Sequence, residues 1–112
     1  MTKKSSSTHL PTGLHLDTLA QHVGVERSQY GENSEALYLT SGFAQPDSAT
    51  AARRFAGEEE GYSYARYSNP TVTAFERRLA ALEGAEASIA TASGMGATLM
   101  MCMGLLNAGD HV

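Results

Sequence analysis

The run Ala97-Thr98-Leu99-Met100-Met101-Cys102-Met103-Gly104-Leu105-Leu106 carries no charged side chain and, wound as a helix, is apolar around nearly its whole circumference. Such a helix demands cover on several sides. It is too short to find that cover in a bilayer, which takes about 20 apolar residues, so it belongs in the interior of a layered protein. Ahead of it stand a short β-prone run at residues 87–91 and then Ser93-Gly94-Met95-Gly96. A strand feeding a glycine turn feeding a helix leaves the first helical N–H groups without intrahelical partners. Those donors and the positive end of the helix dipole together favour an anion, phosphate above all. Gly94 and Gly96 present no Cβ to keep a ligand from the backbone. The same pattern also serves an ordinary βα turn. A Rossmann fingerprint is not met, because Leu99 stands where a third glycine belongs, and no Gly-Lys-Ser/Thr of a P-loop is present.

In chain order, residues 1–13 are rich in Ser and Thr, poor in apolar groups and end in Pro11-Thr12-Gly13, the composition of a disordered arm. His15 and His22 flank a short helix with Asp17 as its expected N-cap and Gly24 as its stop. Residues 36–40 are β-prone. Asp47 or Ser48 caps a helix through Ala56, and Gly57 ends it. The Glu58-Glu59-Glu60 run that follows reads as a solvated loop without a partner. Asn69-Pro70 opens a helix that puts Val72, Phe75, Leu79 and Leu82 on one apolar face, and Gly84 terminates it. Asp110-His111-Val112 has the look of a further strand. The pattern looks like the opening portion of a larger α/β protein.

The chain of 112 residues has a net charge of −4, and its basic residues gather only in the pairs Lys3-Lys4, Arg53-Arg54 and Arg77-Arg78. That balance argues against a nucleic-acid partner. Lys3-Lys4 is followed by Ser5-Ser6-Ser7-Thr8 rather than an apolar segment, so no secretory leader is read and the cytoplasm is expected. Cys102 is the single cysteine and reads as a small buried hydrophobe. No second ligand cluster accompanies the histidines, and no metal site is expected.

Tyr62, Tyr64 and Arg66 share one face if their segment is extended. A guanidinium fork beside a phenol makes a phosphate clamp. The same residues also suit a polar surface strand. The segments Tyr64-Ala65-Arg66-Tyr67-Ser68-Asn69-Pro70-Thr71, Leu79-Ala80-Ala81-Leu82-Glu83-Gly84-Ala85-Glu86 and Ala90-Thr91-Ala92-Ser93-Gly94-Met95-Gly96-Ala97 together resemble the pyridoxal-phosphate enzymes of cysteine and methionine metabolism. Residues 35–41 and 51–58 most resemble the branch that acts on O-succinylhomoserine with sulfide.

The resemblance implies an α/β chain forming the N-terminal part of an aspartate-aminotransferase-like type I fold, with residues 14–60 an N-terminal segment contributing to a subunit interface and residues 61–112 opening the large cofactor-binding domain. It implies pyridoxal 5'-phosphate as cofactor. The N–H groups of Gly94 and Met95 would hold its phosphate, and Tyr64 and Arg66 would reach the phosphate bound by a neighbouring subunit. The implied assembly is a homodimer with shared sites, paired into a tetramer, and the implied substrate is a small amino acid undergoing γ-replacement by sulfide, with the transsulfuration and γ-elimination branches of the same family as alternatives. Ala65 stands where the family often has serine. The lysine that carries the cofactor lies further along in the family, so no catalytic residue is expected within these 112 residues. Lys3 and Lys4, in the expected arm, do not suit a fixed, buried amine. A non-catalytic product that only associates with partners stays open beside the enzymatic reading. The 112-residue chain alone is expected to show no turnover above the cofactor-only background when assayed with cofactor, acylhomoserine and sulfide.

Overall fold

A computed structural model describes residues 13–111. Lys3, Lys4 and nearly all of the expected disordered arm lie outside them, as does Val112. Among the described residues four helices form: α1 (Leu16–His22), α2 (Ser48–Phe55), α3 (Pro70–Glu83) and α4 (Gly94–Leu105). Extended segments join them. Among the described residues no strand forms, and the one β-pairing is an antiparallel bridge between Gly42 and Tyr64.

Most helix ends follow from local chemistry. The Asp47 carboxylate accepts from Thr50 N–H, Asn69 accepts from Thr71 N–H ahead of Pro70, and Ser93 accepts from Gly96 N–H. Gly84 closes α3 in the left-handed conformation that glycine adopts without steric cost. The start of α1 differs from expectation. His15, not Asp17, is its N-cap, its ring nitrogen accepting from Asp17 N–H, and Asp17 lies in the first turn. A ring nitrogen replaces the carboxylate because the helix begins ahead of the place that an Asp17 cap would give it.

Residues 36–40 also depart from expectation, and the reason is visible. The N–H of Tyr38 donates to the Thr71 hydroxyl at 2.9 Å, and the Tyr38 carbonyl accepts from the Asn69 side chain at 2.9 Å. Thr71 donates in turn to the Ala36 carbonyl. Side chains at the start of α3 thus satisfy backbone groups that a neighbouring strand would otherwise take. Residues 87–91 are likewise extended without a ladder. Ala90 N–H donates to the Glu76 carboxylate and the Ser88 hydroxyl to the Glu76 carbonyl, both at 2.8 Å, which lays this segment along α3. His111 is in no strand.

Helix α3 packs against α1, and among the described residues no other pair of helices makes a comparable contact. The buried residues of α3 are Ala74 and Ala80, not the expected Val72, Phe75 and Leu79, which stay exposed. Small side chains win this interface because backbone comes close. At Gly24, with φ of +79°, an added Cβ would lie 2.4 Å from the Ala74 carbonyl oxygen. Arg78 locks the same interface by donating to the Val23 carbonyl at 2.9 Å and to Glu35 at 2.8 Å, and Arg77 pairs with Glu26. Helix α4 stays mostly exposed among the described residues: Met95 is 76% and Leu105 75% exposed, and Cys102 is half-buried. The expectation of burial on several sides is not met within residues 13–111.

Two outcomes follow. Gly24→Ala introduces both a left-handed alanine and a backbone clash, and is expected to cost about 2–3 kcal/mol in a urea titration. The hydrogen bond from Arg78 holds the Glu35 carboxyl below its ordinary value of 4.5. A carboxylate whose folded value is depressed adds stability above pH 4.5, and that stability drains away as pH falls through the lower folded value. The urea midpoint should therefore decline below pH 4.5, and Glu35→Gln should flatten that decline.

Candidate functional site

The segment leading to Tyr64 is held against residues 41–45 by two backbone bonds, Phe43 N–H to the Ser63 carbonyl at 3.1 Å and Ala65 N–H to the Ser41 carbonyl at 2.9 Å. The chain then turns sharply. The Tyr64 carbonyl accepts from both Tyr67 N–H, at 2.9 Å, and Ser68 N–H, at 3.2 Å. The turn, not an extended run, carries Arg66 back over its neighbours. Its guanidinium carbon lies 5.3 Å from the centre of the Tyr64 ring and 5.8 Å from that of Tyr67. The two rings meet edge to face at 6.2 Å. Both distances to Arg66 are within cation–π range.

Tyr62 does not join them. It packs instead on Phe43, at 5.5 Å between ring centres. Alternation along an extended run puts it on the Tyr64 face, but its ring is taken up by Phe43 of the paired segment, and Tyr67, brought round by the turn, stands beside Arg66 instead. The signal for Tyr67 is present in the sequence as the i, i+3 spacing of a turn ahead of Asn69-Pro70.

Among the described arginines, Arg53, Arg54, Arg77 and Arg78 are in ion pairs, and Arg27 and Arg66 are not. Arg66 is exposed and, among the described residues, has neither an ion pair nor a hydrogen bond from its side chain. It therefore keeps its fork of donors free, held in place by aromatic faces rather than by a carboxylate. An incoming anion would displace water from this group and would not have to break an existing ion pair.

At the start of α4, Ser93 takes the Gly96 N–H on its hydroxyl and the Ala97 N–H on its carbonyl, each at 3.0 Å. Thr91 donates its hydroxyl to the Ser93 carbonyl at 2.7 Å and so orders the approach. The N–H groups of Gly94 and Met95 have no acceptor among the described residues. Nothing lies within 4 Å of the place where a Cβ on Gly94 would sit, so the backbone there is open. The helix already includes Gly94 and Gly96, whereas the sequence pattern puts them in a turn before it. The donor chemistry is unaltered by this, since N-terminal helical amides are free either way.

The structure thus joins Tyr64 to Arg66, and Gly94 to Met95. Within one chain no described hydrogen bond or ring contact links the two pairs. Two free amides at a helix N-terminus, and a free guanidinium flanked by phenols, each fit the oxygens of a phosphate ester. Among the described residues no helix is long and apolar enough to cross a membrane.

Comparison with solved structures sets the class. The chain superposes with a TM-score of 0.81 and 33% identity on a Campylobacter jejuni protein assigned as an O-acetylhomoserine (thiol)-lyase, covering 87% of this chain and 24% of that one. That protein carries a pyridoxyl-lysine phosphate adduct. With metB of Corynebacterium glutamicum the TM-score is 0.76 and the identity 35%, over 88% of this chain and 24% of the other. The described helices and loops are therefore the N-terminal portion of a type I pyridoxal-phosphate enzyme fold. The chain belongs to the Cys/Met metabolism PLP-dependent enzyme family, whose model matches residues 17–112. It is 54% identical over 100 residues to the O-succinylhomoserine sulfhydrylase of Pseudomonas aeruginosa, covering 89% of this chain and 25% of the relative. To the L-methionine gamma-lyase of Fusobacterium nucleatum subsp. polymorphum it is 46% identical over 97 residues, or 87% of this chain and 25% of the relative. The chain spans about a quarter of the length of the curated relatives it matches.

Proposed function

We infer that this chain supplies the cofactor-phosphate contacts of a cytoplasmic sulfhydrylase that converts O-succinylhomoserine and sulfide to homocysteine and succinate. The observation that carries the reading is Arg66, a guanidinium steadied by two tyrosine rings and otherwise free. In this reading Gly94 and Met95 donate their backbone N–H groups to the phosphate in their own subunit. Arg66 donates two N–H bonds, and Tyr64 its phenol, to the phosphate bound by the neighbouring subunit. In this reading the two donor pairs that hold one phosphate belong to different subunits of a homodimer, and two such dimers make a tetramer. Pyridoxal phosphate, when bound, supplies the electron sink that makes the substrate's carbon acids labile. The residues of this chain anchor and orient it, which confers rate through positioning rather than through proton transfer. In the net reaction the bond from the γ-carbon to the succinyl oxygen breaks, and a carbon–sulfur bond forms in its place. The choice of succinyl ester and sulfide follows the similarity to the Pseudomonas aeruginosa sulfhydrylase.

The test uses the protein at the length of its relatives. Arg66→Ala should raise the cofactor dissociation constant at least tenfold, the loss of roughly 1.5–3 kcal/mol that charge-assisted hydrogen bonds provide. Arg66→Lys should recover only part of it, because the fork is gone. Given O-succinylhomoserine, the enzyme should yield homocysteine with sulfide. Cystathionine as sole product with cysteine supplied alongside, or methionine breakdown outpacing sulfhydrylation, would overturn the substrate assignment.

A further inference from the structure

The turn that carries Tyr64 and Arg66 is cross-linked at its base by one side chain. The Gln45 amide nitrogen donates to the Phe43 carbonyl at 2.8 Å and to the Tyr62 carbonyl at 3.0 Å. One NH₂ group therefore spans both segments that lead into the turn. Its orientation is forced: two carbonyls accept only from the nitrogen end. The oxygen end is left to accept from the Arg54 Nη1 at 2.7 Å. Arg54 is itself ion-paired with Glu59, Nε to Oε1 at 3.3 Å, a contact of charge that leaves the buried Nε–H without a hydrogen bond, and Glu59 also pairs with Arg53 at 2.8 Å. The acidic run read as a partnerless loop thus includes the anchor of this network. Gly61 completes it. A Cβ there would meet the Arg54 Nε at 2.5 Å and Cζ at 2.6 Å, so the chain entering Tyr62 lies directly against the guanidinium.

We propose that Gln45, held by Arg54, is the positioning residue of the phosphate clamp. It sets the spacing of residues 41–45 and 62–65 so that Tyr64 and Arg66 present their donors together. It hydrogen-bonds to neither side chain and acts through the backbone. The proposal rests on the phosphate reading of Tyr64 and Arg66. Without the Gln45 amide, two backbone bonds and the Phe43–Tyr62 ring contact are left to align the segments, and the Arg54 guanidinium loses its 2.7 Å acceptor.

The experiment is a double-mutant cycle in the protein at the length of its relatives, read as the pyridoxal-phosphate dissociation constant of the apoenzyme together with its thermal midpoint. Gln45→Met keeps the side-chain length and removes all three hydrogen bonds. It should raise the dissociation constant about fivefold to tenfold. In an Arg66→Ala background the same change should matter less than about twofold, since no clamp remains to be positioned. Arg54→Lys keeps the charge opposite Glu59, gives up the fork, and should reproduce part of the loss. Equal effects in both backgrounds, or a lowered thermal midpoint with unchanged cofactor affinity, would mean a merely structural role and overturn the proposal. A neutral Gln45→Met beside a weakened Arg66→Ala overturns the positioning role alone. A neutral Arg66→Ala overturns the phosphate reading and this proposal with it. Should Gln45→Met not be recovered folded, Gly61→Ala displaces the Arg54 guanidinium and carries the same expected outcomes.

Discussion

The side chain of Asn69 is the joint on which this structure turns. It is only 7% exposed, and both ends of its amide are used. The oxygen accepts from Thr71 N–H at 2.8 Å and so starts α3, while the nitrogen donates to the Tyr38 carbonyl and ties down the segment from the N-terminal side. A buried amide with neither end satisfied would cost far more than the bonds it makes. The same residue follows directly on the turn that begins at Tyr64. Helix start, N-terminal segment and clamp are therefore one mechanical unit, and the proposed phosphate donors inherit their placement from it.

What could be read from the sequence was local. Asp47, Asn69-Pro70 and Gly84 declare helix ends because a cap bonds to backbone only a few residues away and needs nothing distant. Strands are the opposite case. Residues 36–40 and 87–91 have the composition of strands, but pairing depends on a neighbour, and here Asn69, Thr71 and Glu76 provide the partners instead. The Val72, Phe75 and Leu79 stripe was legible as a stripe. The burial of Ala74 was not, because the close approach at Gly24 that selects it is a tertiary fact.

The candidate site divides the same way. Gly94 and Met95 were legible because free amides are a property of any helix start. Tyr64 and Arg66 were legible as a pair, although the turn, not alternation along an extended run, brings them together. Tyr67 was hidden by that assumption. The Gln45, Arg54 and Glu59 network was out of reach, since nothing in the spacing of those residues says that they meet.

The proposed sharing of one phosphate between two subunits would have a consequence for behaviour in solution. When a binding site draws its halves from different molecules, ligand capture and self-association become linked equilibria. With the phosphate gripped from both sides in this way, dilution would release the coenzyme as well as part the protomers, and the vitamin-derived group would itself act as a glue whose supply governs how much of the protein is assembled.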